Sequence, residues 1–414
     1  MKVQYIIFII CLYVFFHNPE IPYLPFGLGT MKLMYIPMIL CYLHRNKAYR
    51  SYISTFSRER TILILALVYV LIRVAYGGET QEIRKHLVGF VEIYLLPLWL
   101  VVFAQKIGVT DKEKFVKTIL IVGAIGAVIS TITSVFPEIQ VYIRDNFMHL
   151  KPDDYLLREQ WRGRGLSESL TSHYGYIQGC MIVLGCFYYR SNKWFLWFMP
   201  LTIISIIYNA RTGLVIAMAG LSLLFFKRKN FKFVILLIIV GFIAFDNLEL
   251  LGEMIGVPDE LAGSLSRFGD SIYAIYDAGA IEENSGTVYK LLVEMWILPD
   301  TLDEWIFGRG FTLFGKGMLL GFSSDVGFIN NLAFGGLIYM FIMYSFLFVM
   351  LKRLKKVEEK RFYYYLILLF VIINIKSWFF PNGGTTRFIV LIYYYFVLYD
   401  LGKFSFKLPE KKLI

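Results

Sequence analysis

Apolar positions in this chain come in long unbroken runs, with the polar residues gathered between them. The runs cover residues 3–16, 26–43, 61–77, 86–104, 115–136, 172–189, 194–209, 212–226, 231–247, 326–350, 362–380 and 386–402. Runs of roughly 15 to 25 residues match the length at which a helix crosses a bilayer. The pattern predicts an all-α, polytopic membrane protein of about twelve spans, forming a single membrane domain over 1–414. Outer loops are expected at 137–171 and, between spans nine and ten, at 248–325, with a tail at 403–414. The first run is short and follows a single Lys, as in a signal peptide. It lacks a small-residue cleavage site and leads into His17-Asn18-Pro19-Glu20, so a retained span is expected.

Composition sharpens this picture. Of 414 residues, 57% are hydrophobic and 18% charged, so once the spans are subtracted no soluble catalytic domain of ordinary size remains. Any function must be built at the membrane, and no nucleic-acid partner is implied. Cys11, Cys41, Cys180 and Cys186 all lie in apolar runs, where a thiol is a small hydrophobe rather than part of a disulfide framework or zinc site.

The net charge of +11 has to be divided by side. Lys and Arg concentrate in 44–60, 105–114, 190–193, 227–232, 352–361 and the C-terminal tail, which are alternate connections. Placing these inside puts both termini in the cytoplasm and the two long loops outside. On that topology Lys32, Arg73, Glu92, Arg211, Asp246, Lys376 and Arg387 all lie toward the outer ends of spans, and only Lys117 lies toward the inner. Snorkelling accounts for any one of them but not for the one-sidedness. Charge in hydrocarbon is costly unless it faces a partner or a wet cavity, so a polar cavity opening outward is expected, with Glu92 the counter-charge of Arg73 or Lys376.

Three motifs face that side. Trp161-Arg162-Gly163-Arg164-Gly165 carries two guanidiniums in a glycine-broken segment, followed by His173 and by Gly175; such a pair can grip phosphate oxygens or simply attract lipid headgroups. Asn209-Ala210-Arg211-Thr212-Gly213 joins two short spans, so Arg211 should be partly desolvated, either as an anion ligand or as a helix-end residue reaching the surface. The long loop carries Ser264-Leu265-Ser266-Arg267, then Gly308-Arg309-Gly310, whose amides can approach an anion, and Ser324-Asp325 just before a span. Asp325 could accept a proton from a sugar hydroxyl or cap the following helix.

Arg211-Thr212-Gly213-Leu214 opening a span, Gly308-Arg309-Gly310-Phe311 late in the loop, and Ser324-Asp325-Val326-Gly327-Phe328 leading to Gly335-Gly336 resemble the O-antigen polymerase and O-antigen ligase superfamily of bacterial inner membranes. Arg164, with Gly175 beyond it, is similar to the Arg-x10-Gly pattern of the polymerases. The resemblance implies a metal-independent, cofactor-free inverting glycosyltransferase. Such an enzyme acts on undecaprenyl-pyrophosphate-linked donor and acceptor at the periplasmic face, can work with a chain-length regulator, and sits among membrane lipid. It also implies Arg164, Arg211, Arg267 and Arg309 as pyrophosphate ligands, Asp325 as the base, and Arg162, Glu92 and His173 as supporting residues. The ligases carry a His eleven residues before a Gly at the start of the span after the loop; here that offset from Gly336 lands on Asp325, which favours the polymerase branch. No Asp-x-Asp stands in the outer loops, and Asp153-Asp154 and Glu282-Glu283 read as solvated charge, so no metal is expected. A lipid-linked oligosaccharide flippase is the alternative from another class, but it would place charge near the midplane of repeated halves.

Overall fold

The computed structural model describes residues 2–19, 30–147, 165–167, 172–209, 212–225, 295–313, 324–358, 360–376 and 383–404. All regular structure among them is helical. In order stand α1 (Lys2–His17), α2 (Tyr35–Leu43), α3 (Lys47–Thr55), α4 (Ser57–Ala75), α5 (Gln81–Lys106), α6 (Lys112–Val135) and α7 (Pro137–Phe147). After these come α8 (Ser172–Phe187), α9 (Met199–Asn209), α10 (Thr212–Phe225), α11 (Leu302–Phe307), α12 (Gly327–Val357), α13 (Lys360–Lys376) and α14 (Gly384–Asp400). Helices α5, α6 and α12 are long and apolar enough to cross a bilayer, and α1 and stretches of α9, α10 and α13 are shorter apolar helices. Helix occupies part of each expected span except 231–247, which lies outside the described residues.

Local chemistry sets the helix starts. Asp111 accepts the Lys114 amide at 2.7 Å to open α6, and Asn46 accepts the Tyr49 amide at 3.0 Å to open α3, which turns part of the expected 44–60 connection into helix. Thr301 accepts the Glu304 amide at 3.3 Å while the Glu304 carboxylate accepts the Asp300 amide at 3.0 Å, a reciprocal cap that starts α11.

Helix α14 is the axle of the bundle. Its residues from Gly384 through Leu398 are all buried, as a helix apolar on every face requires. It packs against α1, α5, α8 and α12. Phe115 of α6 stacks flat on Tyr395, with ring centroids 3.6 Å apart.

Helices α4 and α12 run antiparallel. Near one end the Arg353 guanidinium donates to the Thr55 carbonyl at 3.2 Å and lies 3.4 Å from Glu59; near the other, the Tyr69 hydroxyl donates to the Gly335 carbonyl at 2.7 Å. Lys112 pairs with Glu358 at 2.5 Å and the Tyr52 hydroxyl reaches Gln105 at 2.5 Å. The basic segments 44–60, 105–114 and 352–361 therefore meet at one end of the bundle, and residues 76–80 meet 308–312 at the other, as alternating apolar runs demand.

Two helices depart from regularity. In α5, Val91–Leu95 is a π-helical turn, set two residues before Pro97. Proline lacks an amide hydrogen and its ring presses on the carbonyl four residues back, here Ile93, so an extra residue in the turn relieves it. In α12, Gly336 breaks the helix with φ 63° and ψ −165°.

Candidate functional site

The π-turn of α5 and the start of α14 bring two opposite charges together inside the protein. Glu92 is 4% exposed and Arg387 is 5% exposed; the guanidinium donates through Nη1 to Glu92 Oε2 at 2.8 Å, and the Tyr35 hydroxyl donates to Glu92 Oε1 at 3.1 Å. This corrects the sequence expectation for the partner of Glu92. Arg73 lies elsewhere, donating to the Gly308 carbonyl at 3.0 Å, and the side chain of Lys376 lies outside the described residues. The bulge forced by Pro97 and the axial position of α14 decide the pairing, and span spacing carries neither.

Two imidazoles flank the guanidinium. His17, at the end of α1, is 1% exposed and lies between Tyr13 and Tyr174, each ring centroid 4.7 Å away. His173 bonds Thr385 through Nδ1 at 3.2 Å. Both rings are within electrostatic reach of Arg387. Among the described residues, neither ring nitrogen of His17, nor Nε of Arg387, has a hydrogen-bond partner. Sequence reading passed over His17 and treated Arg387 only as one of several outer charges. The signal available was that each sits at the terminus of an apolar run.

Around these groups several motifs converge on the first turns of α8. The segment following Arg164 is held by α1 and α7 next to Tyr174 of α8: the Gly165 amide donates to Gln140 at 3.0 Å, the Tyr13 hydroxyl donates to the Leu166 carbonyl at 2.9 Å, Ser167 donates to the His17 carbonyl at 2.9 Å, and a Cβ on Gly165 would stand 3.2 Å from the Tyr174 ring. From the other side α10 crosses α8 at Gly175 and Gly179. A Cβ on Gly213 would stand 2.2 Å from the Gly175 carbonyl oxygen, and one on Gly179 would stand 2.3 Å from that of Gly213. Small residues four apart let two helices touch backbone to backbone. That crossing sets Thr212, the residue after Arg211, beside Tyr176, and Asp325 lies within electrostatic reach of the same tyrosine. Arg162, Arg164, Arg211 and Arg267 themselves lie outside the described residues.

Asp325 does not cap α12. The N-cap is Val326, with no side-chain bond, and it is Ser324 whose Oγ accepts the Val326 amide at 3.2 Å while donating to the Met295 carbonyl at 2.7 Å. Asn330 closes the turn by donating to the Ser324 carbonyl at 2.7 Å. The half-buried carboxylate of Asp325 is thus positioned without a structural capping duty.

The Gly308-Arg309-Gly310 turn has a different role from the one its sequence suggests. Its amides are taken: Gly308 donates to the Glu304 carbonyl at 2.8 Å, Arg309 to Ala333 at 2.5 Å and Gly310 to Phe334 at 3.1 Å. The turn is docked on the break in α12, with room for no Cβ on Gly308 or Gly336, and Glu79 holds its far side through the Gly310 carbonyl and Thr312. Arg309 donates to Glu304 through Nε and to Asp300 through Nη2, both at 2.9 Å, with its side chain only 10% exposed. The amides of the turn are therefore spent on holding the loop rather than open to an anion, and Arg309 is tied to two carboxylates. Leu313, Val326, Ile329 and Ala333 seal the join as a small apolar cluster.

Among the described residues, no group of three or more His, Cys, Asp and Glu side chains could hold a metal ion. What the site offers is a buried guanidinium fixed by a carboxylate, two imidazoles, tyrosine hydroxyls and a carboxylate close by. No family model and no curated protein matches the chain.

Proposed function

We propose that the protein is a membrane glycosyltransferase of the O-antigen polymerase type. It moves a growing glycan from undecaprenyl pyrophosphate onto another lipid-linked repeat unit at the periplasmic face of a bacterial inner membrane. The proposal includes twelve spans with both termini cytoplasmic and a chain-length regulator as partner. The observation that carries it is the convergence of the segment after Arg164, the residue after Arg211, Asp325 and His173 on the first turns of α8, beside the buried Arg387. Segments separated widely in the sequence thus meet at one locus that holds the Arg387 guanidinium and the Asp325 carboxylate.

In this reading Arg164 and Arg211 grip the pyrophosphate, with Arg267 an added contact, and Arg387 supplies a fixed positive field from behind. The acceptor hydroxyl attacks the anomeric carbon opposite the pyrophosphate. The new C–O bond forms as the C–O bond to pyrophosphate breaks, and the hydroxyl proton passes to Asp325 and on to water. Pyrophosphate leaves readily once its charge is stabilised, so orientation and preorganised cations supply most of the catalysis. Arg309, held by Glu304 and Asp300, steadies the loop.

The test is a gel profile of surface glycan from cells that lose this gene and then regain it. A core carrying a single repeat unit, with the ladder returning on complementation, is the expected result. Bare core with long polymer accumulating on the lipid carrier identifies a ligase instead. Unpolymerised units trapped on the cytoplasmic face identify a flippase and remove the catalytic roles of Arg164, Arg211 and Asp325.

A further inference from the structure

At the opposite end of the bundle from Arg387's neighbours, the junction of α2, α3 and α4 encloses an open groove of about 360 Å³ lined by Tyr42, Arg50, Ile53, Ser54, Ser57 and Arg60. Its chemistry is one-sided. Two guanidiniums and two serine hydroxyls line it with no carboxylate among them. The acid nearest in sequence, Glu59, is fully buried and turned inward to the Tyr393 hydroxyl and Arg353. Arg50 is exposed and its guanidinium carbon lies over the Tyr42 ring, 5.7 Å from the centroid.

The groove also stands at the foot of an apolar wall. Ile36, Ile39, Leu40 and Leu43 of α2 are between 48% and 65% exposed, running up from Tyr42. An exposed apolar helix face above a basic, hydroxyl-lined recess matches an amphiphile whose tails lie along α2 and whose head carries a phosphate. Fork-shaped guanidinium donors suit phosphate oxygens bidentately, and paired serines add neutral donors. Segment 44–60 carries five Lys and Arg and 352–361, which meets it, carries six, as expected on the side of an anionic leaflet.

We infer that this groove is a binding site for the phosphate headgroup of an anionic phospholipid, with Arg50 and Arg60 as its cationic ligands and Ser54 and Ser57 as its hydroxyl donors. The site is independent of the glycan chemistry proposed above. It anchors the α3 corner of the bundle to the leaflet surface.

The test uses the full chain in nanodiscs of equal phosphatidylglycerol and phosphatidylcholine, released into detergent and weighed intact by native mass spectrometry. Wild type should retain phosphatidylglycerol in preference to phosphatidylcholine. The double variant Arg50→Gln/Arg60→Gln should lose that preference by at least about tenfold, on the order expected for two surface cations. Lys352→Gln, an exposed cation at the same end but outside the groove, should leave it unchanged. Thermal melting of each variant checks that the fold is intact; if the double variant melts early, Ser54→Ala/Ser57→Ala replaces it and should weaken retention. Equal retention of both lipids by wild type overturns the inference, as does an equal loss in Lys352→Gln. Displacement of the lipid by millimolar inorganic phosphate would show a free-anion site and overturn the lipid assignment.

Discussion

Glu92 and Arg387 lie 295 positions apart and meet at 2.8 Å in the interior, one on the π-turn of α5 and the other on the first turn of the axial helix α14. A buried pair of this kind need not exceed an apolar replacement in stability, but half of it is expensive to keep. Glu92→Leu should therefore cost about 3–5 kcal/mol, and Arg387→Met a similar amount. The double variant Glu92→Leu/Arg387→Met should recover much of the loss. Thermal melts of the four purified proteins check this, and additive losses would mean that the two charges are not coupled.

The loop latch makes a prediction with an internal control. Gly336→Ala places a Cβ 2.3 Å from the Ile306 carbonyl oxygen, and Gly308→Ala places one 2.6 Å from the Gly335 and Gly336 amides, each at a positive φ. Gly77 has φ +91° with nothing within 4 Å of its Cβ position. Gly77→Ala should cost only backbone strain, about 1–3 kcal/mol. The two latch variants should melt well below it, and equal melts for all three would deny the close approach.

Acid should loosen the same loop. The Glu304 carboxyl is held below its ordinary value, first by the Asp300 amide and then by Arg309. A carboxyl depressed by folding adds stability that is complete above its unfolded value of about 4.5 and is lost as pH falls through the folded value. Protease cutting between 298 and 312 should rise as pH drops below that point. Glu304→Gln should cut readily at neutral pH, with a flatter pH response.

Asp325 and its neighbour Ser324 should separate chemistry from stability. Asp325→Asn is expected to melt like wild type and to abolish glycan polymer. Ser324→Ala, which removes the bonds to the Val326 amide and the Met295 carbonyl, should lower the melting temperature. Normal polymer from Asp325→Asn would strip that residue of its proposed role as base.

Arg211 is tested by shape as well as charge. Arg211→Ala should lose polymer with expression unchanged, and Arg211→Lys should restore little, because an ammonium cannot form the bidentate fork. Full polymer from the alanine variant would remove Arg211 from the site.

The helical architecture was legible because apolar run length is a direct readout of what a helix must cover, and three of the basic segments, 44–60, 105–114 and 352–361, do meet at one end of the bundle. Of the glycines at the crossing, Gly175 and Gly213 stand within the sequence motifs, but that they touch, and that Gly179 joins them, is visible only in the packed helices. Pairing across the bundle was hidden. Glu92 had several cations to choose from, and Pro97, which selects among them by adding a residue to the turn, carries no charge to draw notice. The Gly308-Arg309-Gly310 turn misled for a related reason: glycines that let an anion approach also let another backbone approach. Only the position of the Gly336 break distinguishes the two, and Asp300 and Glu304, which occupy Arg309, looked like ordinary loop acids.

That break has a mechanical consequence. Gly336 divides α12 into a long shaft, anchored at its far end by Arg353, and a short arm of about nine residues, roughly 13 Å at the helical rise. Asp325 sits just before the tip of the arm, beside Ser324 and its bond to the Met295 carbonyl, and the 308–310 turn is docked beside the break. The amides of Arg309 and Gly310 bond to carbonyls of that same arm, so the seating of the 308–310 turn and the position of the Asp325 carboxylate are set together.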